Sequence, residues 1–231
     1  MLAAGVMLSV AGCGGGNSSR AGSDTTPGHG RPQVGHSDVA QPTPANSSGR
    51  ANSCGLTDTN QTPPTSTPKD ITWQLIKGDA MPVSPIAGPG KVEGPIARCY
   101  AHTPLGALIA ASQIGDRIGV ASNREAIEIL KKQAAPGPGV DRGLQVLTGP
   151  EVGDGSTDGQ TAGFRFASYT PDTAVINLVS RMNNGTFNVA TFTMKWLDGD
   201  WKIQLQDSGA DSSPVSQVTS LAGFVPWSGA E

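Results

Sequence analysis

The sequence predicts an α+β roll, with two N-terminal helices packed in a curved antiparallel sheet and a disordered linker ahead of them. Three observations predict it. Two capped helical segments follow one another between Thr103 and Lys132. The apolar pattern after residue 144 has the two-residue period of strands. The longest of those strands changes phase halfway along its length.

Thr103-Pro104 opens the first helix, with threonine as N-cap and proline at N1, where its missing N–H costs nothing. Leu105-Gly106-Ala107-Leu108-Ile109-Ala110-Ala111 is apolar on nearly every face, which marks a helix held inside a concave surface. It runs to Ile118, with Asp116 and Arg117 at its exposed end. Ser122-Asn123-Arg124-Glu125 is a capping box that starts a second helix through Lys132. Pro136-Gly137-Pro138-Gly139 ends it. Leu144 to Leu147 reads as a short strand, and Phe164-Arg165-Phe166-Ala167-Ser168-Tyr169 alternates cleanly. Ala174, Ile176 and Leu178 share one face of the next strand, with Val175 and Val179 on the other.

In the longest strand Phe187 and Val189 occupy odd positions, whereas Phe192, Met194 and Trp196 occupy even ones. One face stays apolar throughout only if a β-bulge falls near Ala190 or Thr191. Leu197-Asp198-Gly199-Asp200 turns the chain tightly into Trp201-Lys202-Ile203-Gln204-Leu205. A bulged long strand curls its sheet, and the apolar helix fills the concavity.

The start of the chain is informative about location. Val10-Ala11-Gly12-Cys13 follows an apolar run from Met1 and has the form of a bacterial lipobox. Small residues fit the narrow signal-peptidase site, and Cys13 carries the nucleophile that becomes a thioether to lipid. The run is too short to span a bilayer, which takes about 20 residues. No Lys or Arg precedes it, a gap that a start codon placed too far downstream would explain. The expected division is 1–12 as signal peptide, 13–69 as lipidated Cys13 and linker, and 70–231 as the globular domain. The linker is dominated by Gly, Ser, Thr, Pro, Asn and Asp, and buries too little apolar surface to fold. It would hold the domain about 40 Å from the membrane.

With Cys13 lipidated, Cys54 and Cys99 are the remaining thiols. In an oxidising compartment they are expected to pair, the alternative being two free thiols. Metal binding is not expected, because a structural zinc site wants four ligands. Sixteen Lys and Arg against nineteen Asp and Glu leave a net charge of −3 with no basic patch, so nucleic-acid binding has no electrostatic support.

The order of elements and the hairpin Trp196-Leu197-Asp198-Gly199-Asp200-Trp201-Lys202-Ile203 resemble the nuclear transport factor 2-like (NTF2-like) superfamily. Within it, the chain is similar to actinobacterial lipoproteins and membrane-anchored proteins associated with conjugative elements, phages and prophages. Trp73, Met81-Pro82-Val83-Ser84-Pro85, Gly88-Pro89, Tyr100 to Ala111, Arg117 and Phe224-Val225-Pro226-Trp227 carry that likeness. The resemblance implies a non-catalytic interaction module at the extracytoplasmic membrane face. It would contact a conjugation or secretion complex, or exclude competing phage or DNA. Its partners are the membrane, through lipid, and an envelope protein; no cofactor is implied.

Two alternatives belong to other classes. An NTF2-like enzyme would place an acid–base residue in the cone. His29 and His36 fall in the linker, which leaves His102, a residue that equally satisfies a turn before the N-cap. Ser84 lacks a nucleophile-elbow context, and Asp172 and Asp198 belong to turns. A carrier would line the cone with Trp196, Phe192 and Phe166, residues that otherwise form core.

Overall fold

The computed structural model describes residues 54–151 and 159–229. Cys13, the segment 1–12, His29 and His36 lie outside them. Two small hairpins come first. β1 (Thr72–Ile76) pairs with β2 (Asp79–Val83), and β3 (Lys91–Glu93) pairs with β4 (Ile96–Arg98). Lys77 and Gly78 turn the first hairpin at φ 51° and 90°, the left-handed pair that matches strand twist. Helices α1 (Pro104–Gly119), α2 (Asn123–Gln133) and α3 (Pro138–Leu147) follow. The sheet comes last: β5 (Gly159–Thr170), β6 (Thr173–Met182), β7 (Phe187–Leu197), β8 (Asp200–Gln204), β9 (Ser216–Val218) and β10 (Val225–Pro226). Its order is β10-β5-β6-β7-β8, antiparallel throughout, with β9 also pairing β7.

This corrects the predicted roll. The helices are not N-terminal: three of them, among the described residues, occupy the middle of the chain, after two hairpins and before a six-stranded sheet. The hairpins escape periodicity because their strands are three to five residues long and β2 contains Pro82. The third helix was hidden by its own start. Pro138 is not a terminator but sits in the first turn of α3, and Val140, Leu144 and Leu147 form one helical stripe against the core. Gly139 and Gly143 let that helix come close. A Cβ on Gly139 would meet the Gln206 carbonyl oxygen, and one on Gly143 would stand 3.1 Å from Leu130 Cδ1.

The expected bulge in β7 is also absent. β7 pairs with β6 in unbroken register from Phe187 to Lys195, so Val189 faces away from Phe192 and Met194 and is buried outside the main core. The irregularities lie in β5, between Thr161 and Gly163 and between Phe166 and Ser168. The second brings Tyr169 to the side of Phe166, with ring centroids 6.3 Å apart, so the clean alternation read there breaks at Ala167.

Asp116 and Arg117, expected at an exposed helix end, are instead half-buried and buried, but the cap and core expectations hold. Thr103 Oγ1 accepts the Gly106 N–H at 3.1 Å, and Ser122 with Glu125 forms a reciprocal capping box. Leu108, Ile109, Ala110, Ala111 and Ile114 of α1 are wholly buried among Ala174, Ile176, Leu178, Met194, Trp201 and Ile203. The chain end closes the sheet's outer margin, where Trp227 packs on Phe164 at 5.6 Å and on Trp73 at 5.0 Å. Part of the span expected to be linker is held against this body. Asp58 Oδ2 accepts from Thr103 Oγ1 at 2.6 Å, and Gln61 Nε2 donates to the His102 carbonyl at 2.7 Å.

Candidate functional site

Several long-range contacts fix the backbone that leads into α1. Cys99 pairs with Cys54 across 45 positions, as the compartment argument expects. Cys99 has φ 70°, and one carboxylate stabilises the bend: Asp200 Oδ2 accepts its N–H at 2.8 Å, and Oδ1 accepts from Tyr100 at 2.9 Å and Trp201 at 3.0 Å. Burial still raises the Asp200 carboxyl, against the opposing effect of those three donors. The Trp201 indole donates to the Ala101 carbonyl at 2.9 Å, and Tyr100 Oη donates to Ala97 at 2.7 Å. Sequence reasoning put Asp200 in the turn. The left-handed turn residues are instead Asp198 and Gly199, at φ 54° and 79°. Nothing local separates Asp198 from Asp200, whose Cys99 and Tyr100 partners lie 101 and 100 positions away.

The residues weighed for catalysis are occupied structurally. His102 Nε2 lies 2.6 Å from the Pro171 carbonyl, which only accepts, so that nitrogen carries the proton. Its ring stacks on Trp196 at 4.0 Å and meets the edge of Trp201 at 6.0 Å. Ser84 Oγ is buried and accepts the N–H groups of Ile86 and Ala87. Asp172 accepts the Trp196 N–H through its backbone carbonyl. Phe192 belongs to the core, and Trp196 and Phe166 pack against it half-buried.

A group that sequence reasoning left aside is the buried acid set. Asp79, first residue of β2, is 5% exposed, and its Oδ1 has no hydrogen-bond partner. Desolvation pushes it up to about 6, against a lowering contribution from the Ala80 N–H. The Asp116 carboxyl on α1 is also raised well above the usual carboxylate range, first by desolvation and then by the charge of Asp79, although Ser112 Oγ donates to it at 2.6 Å. Asp211 is raised too, by burial. Neither cleft described next is lined by any of these three.

Because the folded state holds Asp79 above its unfolded value of 3.8, folding is favoured while it keeps its proton. Stability from this group is full below about pH 4 and falls as pH rises through about 6. Asp79→Asn is expected to be about 1–2 kcal/mol more stable relative to wild type at pH 7 than at pH 4. Urea unfolding of both proteins at the two pH values reads this directly; an equal difference at both would refute it.

Among the described residues, two surface clefts bear on binding. One, of about 710 Å³, lies between the β8 edge and the returning segment 206–215, with a mixed lining that includes Thr193, Gln204, Asp207 and Ser213. The other, of about 90 Å³, is bounded by the Lys77 turn, the Gly94-Pro95 turn and the end of α1, with Arg117, Val120 and Glu125 on its walls. Lys77 Nζ bonds Glu125 at 2.7 Å and the Val120 carbonyl at 3.2 Å. That lysine, with Ser122, draws the Glu125 carboxyl down to about 2.

Comparison with known families gives a match to a family model of a domain of unknown function (DUF8175), over residues 34–226. No curated protein matches. No solved structure matches either.

Proposed function

The chain belongs to the DUF8175 family, and on that premise we propose that it is an extracytoplasmic lipoprotein anchored through Cys13 whose globular part acts by binding. The observation that carries this reading is the Cys54–Cys99 disulfide beside the Val10-Ala11-Gly12-Cys13 motif. A disulfide of this kind persists in an oxidising compartment, where a lipobox would deliver the chain. The structural use of His102 and Ser84 supports a role without chemistry at those residues.

Metabolic labelling with a clickable fatty acid, comparing wild type with Cys13→Ala in a bacterial host, tests the anchor. Label is expected on wild type alone. No label on wild type would overturn the reading. The sequence resemblance supplies two settings for the bound partner, a conjugation or secretion complex and the exclusion of competing phage or DNA. Conjugation frequency and phage plating efficiency, each measured with wild type and Cys13→Ala, separate them.

A further inference from the structure

Arg117 is 6% exposed and, among the described residues, forms no ion pair. Its hydrogen bond runs from Nε to Gln113 Oε1 at 2.9 Å, and Gln113 is itself tied through Nε2 to the Pro82 carbonyl at 2.8 Å. A guanidinium has five N–H donors in a planar fork. One is used here, by Gln113 at Nε. None of the arginine nitrogens is among the fully enclosed unpaired atoms, so the Nη groups retain contact with open space. The cleft of about 90 Å³ is where this side chain borders it.

Burying a cation without a counter-charge is costly unless something supplies one. The cleft walls carry Arg117, Lys77 and Glu125, and Lys77 is already paired with Glu125. One positive charge remains unmatched. A single negative charge would balance it, whereas a doubly charged phosphate would leave an excess beside the ionised Glu125. The volume is that of about three waters, enough for a carboxylate and one or two attached carbons.

We propose that this cleft binds a carboxylate, taken by the Nη fork of Arg117 with Lys77 as an outer cation. Paired N–H donors match the two oxygens of a carboxylate in one plane. The site stands independently of the lipid anchor.

The test is an NMR titration of the full-length chain carrying Cys13→Ala, with acetate, at ionic strength held constant by chloride. The Arg117 Nε–H resonance and the Gly94 and Val120 amides are expected to shift saturably, with a Kd of about 1–10 mM. Arg117→Met, an apolar replacement of a kind buried ions often tolerate, should abolish the response. Lys77→Ala, at an exposed position, should weaken it several-fold while leaving the fold intact. A blocked Gly-Glu-Gly peptide distinguishes the sources: tighter binding than acetate assigns the carboxylate to a protein partner, weaker binding to a free small acid. No saturable shift, a response that persists in Arg117→Met, or inorganic phosphate binding tighter than acetate would overturn the proposal.

Discussion

Gly106→Ala is expected to cost more than about 4 kcal/mol, enough to leave the domain largely unfolded. The sign is informative, because helix propensity alone favours alanine over glycine by about 1 kcal/mol. Gly106 lies in the first turn of α1, and its N–H is the one capped by Thr103. A Cβ there would overlap the Ala101 carbonyl oxygen and stand 2.8 Å from its carbon and 2.9 Å from its nitrogen. Those are backbone atoms, and they cannot move aside. The Ala101 carbonyl accepts from both the Trp201 indole and the Thr103 N–H, and the Ala101 N–H is bonded to Ala87 at 3.0 Å. Relieving the overlap means breaking the approach to the helix or losing its cap. Gly119→Ala is the control, since a Cβ at that position meets nothing within 4 Å. It should be neutral or stabilising by up to about 1 kcal/mol. Circular dichroism and urea unfolding of both variants decide the matter, and a Gly106→Ala protein as stable as wild type would refute the steric argument.

What could be read in the sequence follows how far each signal reaches. Helix caps are local: Thr103 and Ser122 act within three residues of themselves, and both N-termini fall where expected. The apolar surround of α1 also needs no partner to be recognised, and the helix is buried as foreseen. Errors enter where two local signals compete. Pro136-Gly137-Pro138-Gly139 carries both a helix stop and a helix start, and the stop masks the start although Val140, Leu144 and Leu147 supply the stripe. The phase change in β7 has two solutions, a bulge or a second buried face. The fold uses the second: Val189 pairs with Val179 on the far side, beside the β9 pairing. The fold class failed for a related reason. Strands of three to five residues, one with an internal proline, have too little periodicity to announce two hairpins ahead of the helices. The candidate site was the least legible part. Asp200, Asp79 and Arg117 matter because of groups far away in sequence, and no spacing rule brings Lys77, Gly94 and Arg117 to one cleft.

Replacing both Cys54 and Cys99 by serine is expected to lower stability by about 4 kcal/mol while leaving the folded structure in place. The magnitude comes from the 45-position separation: an uncrosslinked unfolded chain regains the entropy of opening that loop. For a domain of this size that corresponds to a fall in Tm of about 8–16 °C. The folded geometry should persist because other contacts already hold both ends. Asp200 fixes the Cys99 and Tyr100 amides whether or not the sulfur bond exists. On the Cys54 side, Asp58 is bound to Thr103 and to the Ile86 carbonyl, and Gln61 to His102 and Tyr169. Near-UV circular dichroism of the double variant should therefore match wild type, while its urea m-value rises slightly as the unfolded ensemble expands. Reductant should reproduce the Tm loss in wild type and change nothing in the variant. A Tm shift of less than about 2 °C would mean that the unfolded chain gains no freedom when the crosslink is lost. A lost near-UV signal would mean that the disulfide, rather than Asp200, shapes the approach to α1.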